Sequence, residues 1–159
     1  MLTRDYDTAL AAMDRAVYLN PNSAQILLRS AFVRLWVSDT DRAIDEFSRS
    51  MRLSPVDPEI GYALGGLAFA LLRKGDYEKG SEYAHRSARE MPRWVSAWIA
   101  VAVASVKTDR PKEAQEAIRR VLLLAPHYSI SVARRWNMNR DQSNLEWFYD
   151  TLRKAGLPE

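Results

Sequence analysis

The chain of 159 residues has no cysteine. That excludes disulfides and thiolate metal centres, and it fits a reducing compartment. Histidine is nearly absent too. His85 and His127 stand far apart with no acidic motif beside them, so neither reads as a metal ligand or a general base. Each is expected to be a surface or half-buried side chain. The six glycines form no phosphate-cradling loop, because Gly65-Gly66 lacks the Lys-Ser/Thr that would have to come next. Long apolar runs are missing: Ile60–Leu72 and Trp94–Val106 are uncharged for thirteen residues each. A membrane span needs about 18, so both runs read as buried helices. No block of like charge stands behind the net charge of +3, and Lys and Arg are interspersed with Asp and Glu. Nucleic acid is therefore not an expected partner, and neither is a membrane. Arg4, Asp5, Asp7, Asp14 and Arg15 sit where a secretory signal would be apolar. The expectation is a cytoplasmic chain without cofactor, metal or catalytic constellation. The acid pairs Asp45-Glu46 and Glu113, Glu116 read as solvated charge on exposed helix faces.

What is present is a repeat. Pro21, Pro55, Pro92 and Pro126 are separated by 34, 37 and 34 residues. The small residues Ala9, Ala43, Gly80 and Ala114 keep the same three steps. The clearest unit runs from Gly61 to Pro92. An apolar helix over 61–73 is broken at Lys74-Gly75-Asp76, where Gly75 can turn left-handed and Asp76 can cap the next helix. That second helix, amphipathic over 77–90, presents Tyr77, Gly80, Tyr83, Ala84 and Ser87 on one face, and Pro92 stops it. The extra three residues of the middle step fall at Pro58-Glu59-Ile60, ahead of a helix. Helices are expected near 4–18, 23–37, 40–52, 58–73, 76–90, 93–107 and 111–124. Asp5, Asp39 and Asp76 stand near helix starts and can accept from orphan amides, as can Asp109 ahead of Pro111. The small residues, with Ala31, Ala68 and Ala102, let antiparallel helices approach, while Phe47, Leu67, Trp98 and Ile118 fill the space between. One hairpin cannot bury its own apolar face, so neighbours must stack.

This pattern resembles the tetratricopeptide repeat (TPR) family over residues 1–126. Trp98, Val101, Ala102 and Ser105 stand at the family's Trp, Leu, Gly and Tyr places. Leu64, Leu67, Ala68 and Leu71 stand there in the middle repeat. The second-helix pattern of alanine, aromatic and proline appears as Ala43, Phe47 and Pro55. More loosely, it recurs as Ala9, Met13, Pro21, as Gly80, Ala84, Pro92 and as Ala114, Ile118, Pro126. The resemblance implies an all-α, right-handed superhelix of antiparallel helical hairpins. A half repeat would span 1–21, with repeats over 22–55, 56–92 and 93–126 and capping helices over 127–159. The cap would comprise a short helix within 127–136 and a second over 141–155, with Leu145, Phe148, Tyr149 and Leu152 as its apolar face. The last eight residues, Leu152 to Glu159, are similar to the C-terminus of bacterial class III adenylate cyclases that carry such repeats. That similarity implies the regulatory end of a longer bacterial signalling protein. Transcriptional regulators with repeat tails resemble it as well. The first helix lacks a hairpin partner, so either the chain is a piece of a longer protein or that helix pairs elsewhere. Leu10, Met13 and Val17 are expected to be exposed or covered by another chain, which would make a homodimer.

In the family the first helices of the hairpins line a concave surface. Projected here, that surface takes Gln25, Arg29, Phe32 and Trp36, then Tyr62, Gly65, Gly66, Phe69 and Arg73, then Ser96, Ile99, Ala100, Val103 and Lys107. The result would be an apolar trough with three basic points, suited to a protein or peptide partner, one source being another part of the same parent. Two readings of Gly65-Gly66 stand open: room for a ligand backbone, or close helix packing. A second alternative is that the cap helix folds back and covers the aromatics. Leu28, Phe32 and Gly66 replace several polar residues with which chaperone-binding members hold a carboxylate, so that ligand is not expected.

Overall fold

The structure, a computed structural model, describes residues 5–142 and 145–159. The described residues form helices and connecting turns, with no strand. In order these are α1 (Tyr6–Leu19), α2 (Ala24–Trp36), α3 (Thr40–Leu53), α4 (Ile60–Lys74), α5 (Tyr77–Glu90), α6 (Val95–Lys107), α7 (Pro111–Leu124), α8 (Ile130–Trp136) and α9 (Glu146–Ala155). The pairs α2–α3, α4–α5 and α6–α7 pack as antiparallel hairpins, and each hairpin packs on the next through α3–α4 and α5–α6. Arg4, Ser143 and Asn144, which the expected helix ranges include, lie outside the described residues.

The proline ladder ends the second helices by a local steric rule. Asn20, Ser54, Met91 and Ala125 each precede a ladder proline and have φ of −144°, −141°, −130° and −141°. Proline disfavours α geometry in the residue before it, and all four are pushed out of the helix there. Within each hairpin a second device turns the chain. Ser38, Gly75 and Asp109 have φ of 67°, 86° and 56°. The residue after each donates its N–H back across the turn, Asp39 to Arg34, Asp76 to Leu71 and Arg110 to Ser105, at 2.7–3.0 Å. This is the left-handed C-cap that satisfies the last helical carbonyls. Asp109 is therefore the turn residue rather than the cap expected of it, and Arg110 occupies the cap position before Pro111. Asp5 and Asp76 do cap, accepting from the Thr8 and Lys79 amides. Asp39 makes no such bond, because its carboxylate is turned to Arg34 at 3.1 Å.

The core is built on small residues, as close helix approach requires. Ala31, Ala43, Ala68, Ala102 and Ala114 are at most 1% exposed, with Phe47, Leu67 and Ile118 filling between them. Two hydroxyls tie hairpins internally: Ser50 donates to the Ala24 carbonyl and Ser87 to that of Gly61, both at 2.8 Å. Gly65 and Gly66 serve packing. A Cβ on Gly66 would lie 2.2 Å from Phe47 Cζ, and one on Gly65 would lie 2.4 Å from Trp94 Cζ3. Both faces of α4 are thus occupied by aromatic rings that a methyl group would displace.

Helix α1 packs on α2 and has no buried residue. Leu10, Met13 and Val17 are half-buried, while Tyr18 and Leu19 are 74% and 64% exposed. Beside these apolar contacts, charge ties α1 to α2. The Arg34 guanidinium, 3% exposed, bonds Glu46 at 3.0 Å, Asp39, and Asp14 of α1. Burial works against its charge, but Glu46 and Asp14 outweigh that and hold its pKa above the ordinary arginine value. Glu46 is 6% exposed, so the expectation of a solvated pair at Asp45-Glu46 fails for Glu46. The helical spacing places it opposite Arg34 across the α2–α3 contact.

Candidate functional site

The first helices α2, α4 and α6 lie side by side, and α9 packs against α6 and α7 at the end of the row. Together they border a cavity of about 480 Å³. Phe32 and Trp36 of α2, Phe69 and Arg73 of α4, and Ser96 and Ile99 of α6 line one side. Trp94, Tyr128, Trp136, Met138, Trp147 and Phe148 contribute to the rest. The rings brace one another. Phe32 meets Trp36 at 6.2 Å and Phe47 edge-on at 5.0 Å, and Phe69 meets Phe148 at 6.4 Å. Helix α9 therefore borders the cavity through Trp147 and Phe148.

Of the trough residues projected from the sequence, the cavity brings together Phe32, Trp36, Phe69, Arg73, Ser96 and Ile99. The others lie elsewhere. Gln25 and Arg29 sit at the far end of α2, where both approach Glu59, at 3.5 and 3.3 Å. Tyr62 is stacked edge-on against Trp94 at 4.8 Å. Gly65 and Gly66 are beneath rings, and Ala100 and Val103 are fully buried. Lys107 lies over the rings of Tyr77 and Trp147, at 5.6 and 5.4 Å, which couples α6 to the cap helix.

Arg73 is the charged residue of this lining. It donates to the Leu35 carbonyl at 2.6 Å and to the Asn139 amide oxygen. Both acceptors are neutral. Burial holds its pKa below the ordinary arginine value. The wall residues after Pro126 follow the last step of the proline ladder, so that ladder does not point to them. The one available signal is the aromatic density of Tyr128, Trp136, Trp147, Phe148 and Tyr149.

A second polar cluster lies between α5 and α7. Glu113 accepts from Ser105 at 3.0 Å, pairs with Arg110 at 3.4 Å, and meets His85 Nε2 at 2.7 Å. His85 Nδ1 donates to the Ser81 carbonyl at 2.7 Å. Burial alone would raise the Glu113 carboxyl, but the bonds from His85 and Ser105, with the charges of His85 and Arg110, hold it below the ordinary value. Glu113 is thus half-buried and bonded rather than the solvated acid expected. His85, half-buried as expected, is a linker between helices. No group of three or more His, Asp or Glu side chains among the described residues could hold a metal ion. No helix among them is long and apolar enough to cross a membrane.

Comparison with known proteins bears on the fold. No family model matches the chain. A small glutamine-rich tetratricopeptide repeat-containing protein of Mycosarcoma maydis is 33% identical over 82 residues. That match covers 52% of this chain and 22% of that protein, so the chain spans about a fifth of the length of this relative. Among solved structures, MamA matches with a TM-score of 0.68 at 16% identity, over 95% of this chain and 86% of its own. YrrB, described as a TPR protein with an unusual peptide-binding site, matches at 0.63 and 18% identity, over 95% and 76%. A thermophilic TPR protein of Thermus thermophilus matches at 0.65 and 18%, over 94% and 81%. None of these relatives lends support to the adenylate cyclase similarity of the C-terminus. Hairpin geometry, helix order and nearly full-length superposition agree: the chain has the fold of the tetratricopeptide repeat proteins.

Proposed function

We propose that this chain is a protein-interaction module whose concave cavity holds an apolar segment carrying an acidic residue. The observation that carries this reading is the pairing of an aromatic-walled cavity of about 480 Å³ with Arg73, a half-buried cation whose bonds go to neutral oxygens. Aromatic residues and arginine are the types that dominate binding energy at interfaces, and a lining cation selects a ligand of opposite charge. The peptide-binding site ascribed to YrrB, which shares the fold, supports the same use of the scaffold. The similarity of Leu152–Glu159 to cyclase tails points to a signalling parent, which the length of the natural gene product tests.

Selection from a displayed library of random peptides tests the reading. Enriched sequences should pair large apolar residues with Asp or Glu. Their binding should weaken by more than about tenfold in Phe69→Ala, the scale of an aromatic hot spot. Peptides that bind Phe69→Ala undiminished would contradict the assignment.

A second reading rests on α1. With no buried residue and with Tyr18 and Leu19 largely exposed, it offers an apolar face for self-association. Light scattering over a concentration series should then show dimers. A strict monomer with slow amide exchange along α1 would exclude this.

A further inference from the structure

Residues 137–142 leave α8 and run back along the cavity to α2 and α1. The ties that fasten this strap are polar. The Arg140 N–H donates to the Trp36 carbonyl at 2.7 Å. The Arg140 guanidinium meets the Asp7 carboxylate at 2.8 Å. The Tyr6 hydroxyl donates to the Met138 carbonyl at 2.9 Å, and Arg73 donates to the Asn139 amide oxygen. Apolar anchoring is slight: Met138, the one apolar residue of the strap, is 42% exposed. The Arg140–Asp7 and Tyr6–Met138 contacts are exposed, and exposed polar pairs hold weakly because water competes for both partners. The strap is therefore attached by exchangeable contacts and supplies Asn137, Met138 and Asn139 to the cavity lining, whereas most of the remaining wall belongs to the packed helices.

Its most telling contact is the one to Arg73. A guanidinium offers several donors in a planar fork that a carboxylate can engage bidentately. Here a neutral amide oxygen takes one of those donors, from a residue whose own Nδ2 is already engaged with Asn137 at 2.6 Å. A charged acceptor bonds more strongly than a neutral one. A ligand carboxylate arriving with an apolar side chain for the cavity would outcompete it.

We infer that the 137–142 strap is an intramolecular competitor for the cavity, in which Asn139 holds at Arg73 the place of a partner's carboxylate, so that the partner binds by displacing the strap. This rests on the cavity being the binding face. Apparent affinity is then reduced by the fraction of molecules in which the strap is open. Loosening the strap strengthens binding, and tightening it weakens binding, without any change in the helices that supply the other walls.

The test uses the full chain and anilinonaphthalene sulfonate, a fluorescent probe with an aromatic body and one negative charge. Asn139→Ala removes the competing oxygen and should raise probe affinity several-fold. Asn139→Asp supplies a tethered carboxylate to Arg73 and should lower it several-fold. Opposite shifts from one half-buried position are not what a general change in stability produces. If neither substitution alters affinity while Phe69→Ala reduces it, the cavity is the site and the strap is not a competitor. If Phe69→Ala also leaves affinity unchanged, the probe binds elsewhere, and the cavity and its competitor both fall.

Discussion

Replacing Gly66 by alanine should destabilise the protein, although alanine is the better helix former. In a helix interior the exchange gains about 0.8–1 kcal/mol from propensity. The new Cβ would stand 2.2, 2.4 and 2.9 Å from Cζ, Cε1 and Cε2 of Phe47, where ordinary contact begins at 3.4 Å. Phe47 is 0% exposed and braced edge-on against Phe32 at 5.0 Å and 83°. Its ring can yield only if its neighbours move as well. Overpacking of this kind costs about 1–3 kcal/mol, and the shortfall of more than an ångström places Gly66 at the upper end. The net loss should be about 1–2 kcal/mol, a fall in Tm of about 2–6 °C for a chain of this size. Phe47→Leu removes the three clashing atoms, so in that background Gly66→Ala should be neutral or stabilising by up to about 1 kcal/mol. The double-mutant cycle measured by urea denaturation should therefore show a coupling of about 2 kcal/mol. If Gly66→Ala alone raises stability, the glycine is not there for packing, and room for a ligand backbone becomes the better account.

Arg34→Met should cost about 3–5 kcal/mol, because it leaves the buried Glu46 without its counter-charge, and adding Glu46→Leu should recover much of that in the same denaturation assay. Glu113, whose folded pKa is depressed, contributes stability that is fully present above its ordinary value of 4.5 and is lost as pH falls through the lower folded value. Wild type should therefore lose more stability than Glu113→Gln on acidification below 4.5, and parallel melting curves for the two would refute the assignment. Ala43→Leu and Ala114→Leu should each cost about 1–3 kcal/mol by overpacking helix crossings, whereas Ser48→Leu, at a half-buried position, should cost far less.

The helices were legible because their limits are set by local chemistry. Proline at 21, 55, 92 and 126 expels the residue before it from the helix, and the small-residue ladder marks the crossings. The left-handed turn was legible only at Gly75. Ser38 and Asp109 adopt the same geometry without the residue type that announces it. Charged residues misled in one direction. Glu46 and Glu113 look like solvated acids, and Asp39 like a helix cap, until the fold brings Arg34 or His85 against them. About half of the projected trough gathers at the cavity, since the position along a first helix does not reveal which end α9 will border. Arg29 and Arg73 were equivalent in sequence, yet one is 56% exposed beside Glu59 and the other is drawn into the aromatic wall. The strap obeys no repeat rule, because it is placed by long-range bonds from Tyr6, Asp7 and Trp36 to residues more than a hundred positions away.

The five tryptophans report on the site separately. Trp36, Trp94, Trp136 and Trp147 line the cavity. Trp98 lies away from it, with Nε1 donating to the Pro92 carbonyl at 2.9 Å and the Arg120 guanidinium over its ring. Titrating a library-selected peptide into nitrogen-labelled protein and tracking the indole N–H signals by NMR therefore locates binding directly. The account predicts that the signals of the four cavity tryptophans shift together and saturably while that of Trp98 stays in place. Movement of Trp98 with the cavity signals unmoved would contradict it.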